Sequence, residues 1–279
     1  MGKTEYRAAP IRRGRRSGHD RLAALERVYA TYHRRSYVHP DPLAFLYDYP
    51  DLADREIVGL IASALAYGKV SRIMVSVGDV LQRMGPSPAV YVDHTPPSRM
   101  RSDMAGFVHR FADAGAMAAL LGAVRSLRGT CGGLNACFRS AIAPGDDTVI
   151  PALGRFVDRL HHFGAGGHLL PHPERGSACK RLHLFLRWMV RCDDVDPGGW
   201  DAATPAMLII PLDVHMHRIG RALGFSRRRA ADRRTALEVT AGFRAIAPED
   251  PVKYDFSLTR LGIRSDCDLD GFLEGLPKG

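Results

Sequence analysis

Residues 54–85, DREIVGLIASALAYGKVSRIMVSVGDVLQRMG, decide the fold class. Ile57, Leu60, Ile61, Ala64 and Leu65 recur at intervals of three and four, which places them on one helix face. Asp54 is a candidate N-cap, since a short carboxylate can accept from the free N–H groups of a first turn. Ile73, Val77, Val80, Leu81 and Met84 continue the period until Gly85-Pro86 stops it. Gly68, between the two runs, predicts a break into two helices. Working outward, residues 86–98 are proline-rich and read as a loop. Helical periodicity returns around 101–113, 115–127, 132–142 and 147–163. No alternating strand pattern and no internal repeat is visible. The fold class read from this is all-α, with residues 21–279 forming a single helical domain. Residues 1–20 carry Arg7, Arg12, Arg13, Arg15 and Arg16 with little apolar content and read as a flexible basic arm.

Composition narrows the function classes. The 279 residues contain 39 Lys and Arg against 30 Asp and Glu, a net charge of +9. Such an excess suits a polyanionic partner, because Lys and Arg displace counterions from phosphates. An arginine-rich chain from a high-GC genome would show the same excess without binding nucleic acid, so charge alone does not choose. No run of 18 apolar residues is present, so no membrane span is expected. The N-terminus lacks the apolar core of a secretory signal. Five scattered cysteines without a C-x-x-C pair argue against a disulfide framework, a zinc site or an iron–sulfur cluster. The expectation is a cytoplasmic, nucleoid-associated monomer without metal or cofactor.

The segment KRLHLFLRWMVR, residues 180–191, is apolar around most of its circumference, the mark of a buried helix. Lys180, His183, Arg187 and Arg191 fall within an arc of about 80° at 100° per residue. This cationic stripe needs water, carboxylate partners or an anionic ligand, because an unpaired buried charge is very costly. Lys180 stands in the first turn, after Gly176-Ser177-Ala178-Cys179. The partial positive charge of a helix N-terminus disfavours an ammonium there, and a lysine amine so placed can act as a nucleophile and form a Schiff base. The same N-terminus suits a phosphate.

A second segment, LIIPLDVHMHRIGRALG (208–224), sets Asp213 after an apolar run, as an N-cap for a helix beginning at Val214. Met216, Ile219, Gly220 and Leu223 form the apolar face of that helix, and Gly224 closes it. His215 and His217 lie two positions apart and project about 200° from each other on a helix, which argues against joint metal ligation. The acidic stretch DDVDPGGWD (193–201) lacks the closing glutamate of a calcium loop and reads as Asx turns. RRRAADRR (227–234) reads as a solvated helix face.

Ile210-Pro211-Leu212-Asp213-Val214-His215, Arg218-Ile219 and Leu223-Gly224 resemble the "VDTHV-RV-RLG" signature of helix-hairpin-helix DNA glycosylases. Leu60-Ile61-Ala62-Ser63-Ala64-Leu65 resembles their "LIA-LSAQ" helix, with Leu65 where those enzymes frequently carry glutamine. The usual hairpin "LPGVG-KTA" is absent, and Lys180 lies 33 positions before Asp213. In both respects the chain is closest to the archaeal 8-oxoguanine DNA glycosylase branch. Over roughly residues 35–265 the sequence is also similar to the DUF2400 group, through SACKR-LFLRWMVR-DDVDPG, IIPLD-H and PEDPVKYDF-L-RLGI.

The resemblance implies two helical subdomains with a cleft between them, and base excision from double-stranded DNA carrying an oxidised purine. It makes Lys180 the amine that attacks C1′ and Asp213 the carboxylate that helps activate it and stabilises the sugar cation. If Lys180 only binds phosphate, Asp213 would activate water and no strand cleavage would follow. By the same resemblance Asp255 contacts the edge of the flipped base and Phe256 stacks on it, with His183 and Arg187 as further pocket residues. Ser177, Lys69 and Arg218 are assigned to the DNA backbone. A non-catalytic DNA-binding protein is the alternative, and it predicts that Lys180 is dispensable.

Overall fold

The structure, a computed structural model, describes residues 13–264 and 267–275. Among the described residues the regular elements are helices and one two-stranded hairpin. The elements are α1 (Arg13–Tyr32), α2 (Leu52–Ala64), α3 (Val70–Met84), α4 (Pro88–His94), α5 (Pro97–Asp103), β1 (Val108–His109), β2 (Ala112–Asp113), α6 (Ala114–Cys131), α7 (Leu134–Arg139), α8 (Val149–His162), α9 (Lys180–Val190), α10 (Val214–Ala222), α11 (Arg233–Arg244), α12 (Asp255–Ile263) and α13 (Leu269–Glu274).

The α2–α3 break falls at Gly68, and Gly85 ends α3 with a positive φ of 80°, as the spacing predicts. The N-cap of α2 is Asp51, which accepts from the backbone N–H groups of Ala53 and Asp54. Asp54 serves a different purpose. Its Oδ1 accepts from Ser87 Oγ at 2.8 Å and from Ala89 N at 2.7 Å, tying α2 to the start of α4. The apolar face of α2 lies against α9. A Cβ at Gly59 would sit 3.2 Å from Met189 Sδ and 3.3 Å from a Phe185 ring carbon, so glycine permits this close crossing. Leu25 and Val28 of α1 are buried, and α1 packs on α12. α10 packs on both α11 and α12.

Residues 86–98, read as a loop, hold α4 and the first residues of α5, where proline is accommodated in the first helical turn, and four further expectations change. Residues 1–12 of the basic arm lie outside the described residues, and from Arg13 the chain is already helical. Residues 101–113, read as one helical segment, contain the end of α5 and an antiparallel hairpin with Val108 opposite Asp113 and His109 opposite Ala112. Two-residue strands are too short for alternation to register. Residues 227–232 form a turn in which Arg228 pairs with Asp232, the N-cap of α11, so the solvated helix face starts only at Arg233. Cys131 and Cys137 form a disulfide with Cα atoms 5.3 Å apart, a local link across the α6–α7 turn rather than a framework.

The cationic stripe of α9 is resolved by carboxylates. Arg187, Arg191 and Asp196 are each less than 5% exposed. Arg187 pairs with Asp196 and Asp255, and Arg191 with Asp193, Asp196 and Asp250. The acidic loop after α9 thus supplies counter-charges. Its Asx turn is present, with Asp193 Oδ1 accepting from Val195 N and Asp196 N, both at 2.9 Å.

Candidate functional site

A cavity of about 950 Å³ opens where the N-terminal ends of α9, α10 and α12 converge. That volume lies at the upper end of the range for small-molecule sites. Lys180, Asp213, Asp255, Arg187 and Ser177 all line it. Residues distant in sequence therefore line one cavity.

Lys180 opens α9 after Cys179, which holds a left-handed conformation (φ 45°) as its N-cap. The loop before it is fixed in two ways. Ser177 bridges to Asp232, and Arg233 N donates to Gly176 O at 3.0 Å. Ser177 Oγ accepts from Cys179 N at 3.2 Å. No hydrogen bond or ion pair engages the half-buried Lys180 among the described residues. An amine on the cavity lining and free of a fixed partner is available to a ligand.

Asp213 caps α10 as its position in the sequence predicts, its Oδ1 accepting from Met216 N at 2.8 Å. This leaves Oδ2 without a partner among the described residues. Behind it, the His215 ring lies against α12 at Gly262, where a Cβ would meet the imidazole at 2.2 Å. Gly262 therefore lets α10 and α12 approach closely enough to put Asp213 and Asp255 on one cavity.

Asp255 is 1% exposed. Its Oδ2 accepts from Arg187 Nη1 at 2.5 Å, while Oδ1 has no partner. Burial pushes the carboxyl up to about 6; Arg187 opposes that rise and the nearby Asp213 charge adds to it. A buried acceptor without a donor costs about 1–3 kcal/mol. Such a group on a cavity wall is suited to a ligand N–H.

Other predicted site residues are placed elsewhere. Phe256 is fully buried and does not line the cavity; the Arg260 and Arg187 guanidiniums lie 4.6 and 5.9 Å from its ring centroid. Its ring belongs to the core, so stacking on a bound base is corrected to packing beneath the site. His183 is also off the cavity, buried with Nδ1 unpartnered, and burial pushes its imidazole down to about 4. On the helix wheel it stands only about 40–60° from Lys180 and Arg187, yet its ring is enclosed by the core. Lys69 is exposed at the N-cap of α3, between the cavity residues Gly68 and Val70. Arg218 pairs with Asp270 of α13 and borders a separate shallow groove.

Several cavity residues escaped the sequence reading. Arg181 Nη1 donates to the Ala64 carbonyl at the end of α2 at 2.5 Å, Nη2 donates to the His168 carbonyl, and its guanidinium lies 4.8 Å from the Tyr67 ring centroid. It ties α9 to α2 across the floor. Tyr67, His168, His172 and Arg260 complete much of the lining. Two histidines within the Gly- and Pro-rich 164–179 stretch were the available signal, since polar side chains on irregular backbone are often site residues.

The family match covers residues 41–264 and has the description DUF2400, a protein of unknown function. The chain belongs to the DUF2400 family. The match includes every cavity residue named above and every candidate site residue from Lys69 to Phe256. Searches of curated proteins and of solved structures found no match. Within the DUF2400 chain the cavity is therefore read from its own chemistry.

Proposed function

We propose that this DUF2400 protein is a DNA glycosylase with lyase activity, acting on an oxidised purine, with 8-oxoguanine as the first lesion to test. The observation that carries the reading is the Lys180 amine sharing one cavity with the Asp213 carboxylate, each at a helix N-terminus and each with an uncommitted polar atom. A nucleoside turned out of the duplex would enter this cavity, because a base inside the stack exposes neither C1′ nor its glycosidic bond.

In this reading Asp213 accepts a proton from Lys180, and the Nζ lone pair forms a bond to C1′. The glycosidic bond breaks, its electron pair leaving on the base, which takes up the proton that Asp213 holds and so returns Asp213 to its charged form. Asp213 offsets the positive charge on the sugar as the bond breaks. Ring opening gives a Schiff base, and loss of a C2′ proton then expels the 3′ phosphate. The unpartnered Asp255 Oδ1 accepts from an N–H on the purine edge. Net charge supports the partner class, since +9 favours a polyanion.

Borohydride trapping tests the proposal. Full-length protein is incubated with duplexes carrying 8-oxoguanine, other oxidised purines or abasic sites, and reduced. A covalent adduct that disappears in Lys180→Ala is expected. Base release that persists in Lys180→Ala would assign the attack to water activated by Asp213. Neither adduct nor base release on any lesion would overturn the enzyme reading and leave a DNA-binding protein.

A further inference from the structure

Two non-glycine residues have positive φ among the described residues, and both adjoin the same cavity. One is Cys179, before Lys180. The other is Arg110 (φ 54°), the first residue of the two-residue turn between β1 and β2. Glycine is the usual occupant where such a turn needs positive φ. Strained backbone of this kind persists where surrounding structure holds it, and it gathers at functional sites.

The surrounding structure does hold it. Tyr67 OH donates to His109 O at 2.8 Å, and the His109 ring is bonded to Ser76 Oγ at 2.8 Å and to Tyr67 O at 3.1 Å. The rings of Tyr67 and Phe111 both meet His168 edge-on, at 4.5 and 5.1 Å between centroids. Tyr67 and His168 line the cavity, and His168 is exposed at its rim. The result is a rigid tip that presents Phe111 to solvent at 71% exposure, with Val108 at 69% beside it. A large aromatic left this exposed buries little apolar surface in the fold of the isolated chain.

Charge indicates what covers it. Lys69, Arg72 and Arg110 are exposed around the tip, and none pairs with a carboxylate among the described residues. Gly68, a cavity residue, lies against the Arg110 side chain, and Arg72 and Arg110 border one groove between α3 and the hairpin. An exposed aromatic ringed by unpaired cations at a cavity rim is complementary to stacked bases flanked by phosphates.

We infer that the β1–β2 tip is a wedge for duplex DNA, with Phe111 inserting into the base stack beside the cavity and Lys69, Arg72 and Arg110 holding the adjoining phosphates. This rests on the glycosylase reading for the nucleotide in the cavity. Phe111 is a positioning residue: it occupies the gap left by the displaced nucleotide and touches no reacting atom. Leu65, at the position where the resembling enzymes carry glutamine, is fully buried and unable to do so.

The test compares full-length wild type, Phe111→Ala and Phe111→Trp on a duplex with a tetrahydrofuran abasic analogue, an intact duplex and a single strand. Phe111→Ala is expected to weaken binding to the abasic duplex by about 5- to 150-fold, as loss of one aromatic–base stack does. Single-strand binding should change less than about twofold. Phe111→Trp should restore the abasic affinity, and its added indole should become shielded from iodide quenching in the complex; the two native tryptophans are buried. Unchanged affinity in Phe111→Ala, or a Phe111→Trp indole still open to iodide, overturns the wedge. If an adduct through Lys180 forms while Phe111→Ala binds normally, the wedge fails and the glycosylase reading stands. If no lesion gives adduct or base release yet Phe111→Ala loses abasic-duplex affinity, the reading fails and the wedge surface stands. Absence of duplex binding by wild type overturns both.

Discussion

Arg187 of α9 and Asp255 of α12 form a buried pair in which only one carboxylate oxygen is used. Arg187 also contacts Asp196, so one guanidinium offsets two buried carboxylates. Its removal leaves those charges with too little compensation. Arg187→Met should destabilise the protein by about 3–5 kcal/mol, measured by urea unfolding. Arg187→Met combined with Asp255→Asn should lose less than the single Arg187 change, because one uncompensated charge goes with its partner. Equal losses in the single and double variants would remove Asp255 from the electrostatic role given to it.

Asp213 has two functions that one pair of substitutions can separate. Its Oδ1 caps α10 and its carboxylate charge faces the cavity. Asparagine caps a helix about as well as aspartate, so Asp213→Asn should unfold within about 0.5 kcal/mol of wild type. Adduct formation should nevertheless fall by about 100-fold or more, because the carboxylate that accepts the proton is gone. Asp213→Ala should lose the same activity and about 1 kcal/mol of stability besides. If Asp213→Asn traps DNA at the wild-type rate, the residue is a cap and nothing more.

The Cys131–Cys137 link closes a loop with a sequence separation of 6. A loop this short restrains the unfolded chain only modestly, by about 2 kcal/mol in the chain-entropy picture. Cys131→Ser should lower the unfolding free energy by that order. The link lies away from the cavity, so trapping should be unaffected. A large loss of trapping with little loss of stability would contradict that placement.

Much of this arrangement was legible because it rests on local chemistry. The α2–α3 break at Gly68, the Asp213 cap and the burial of α9 follow from spacing, capping and apolar surface, which a single segment carries by itself. Lys180 and Asp213 stand at helix starts that the sequence marks, and the fold puts both on one cavity. Pairings across the chain were not legible. The stripe on α9 demanded partners, but only folding brings Asp255 and Asp250 to it. Phe256 took its stacking role from the resemblance, but on a helix the residue next to Asp255 projects about 100° away from it, here into the core. The Arg110–Phe111 turn lacks the glycine or asparagine that announces a tight hairpin, so its strand pair was invisible to pattern.

Two buried groups near α9 should give stability an opposed pH dependence. His183 is pushed down to about 4 by burial. Unfolded histidine titrates near 6.5, so between these values only the unfolded chain takes up the proton. The contribution of neutral His183 is present above pH 6.5 and lost as pH falls toward 4, up to about 3 kcal/mol. Asp255 has the opposite sign. Its carboxyl is pushed up to about 6 by burial, and unfolded aspartate titrates near 3.9. Its contribution is full below pH 3.9 and lost as pH rises through 6. Between pH 4 and 6 the two slopes oppose each other. Relative to wild type, Asp255→Asn should therefore lose stability more steeply as pH falls from 6.5 to 4.5. His183→Leu should lose it less steeply or gain. Other titrating groups are common to all three proteins and cancel in the comparison. Urea unfolding at pH 4.5, 5.5, 6.5 and 7.5 measures these slopes, and parallel curves for the three proteins would show that neither residue titrates as its burial requires.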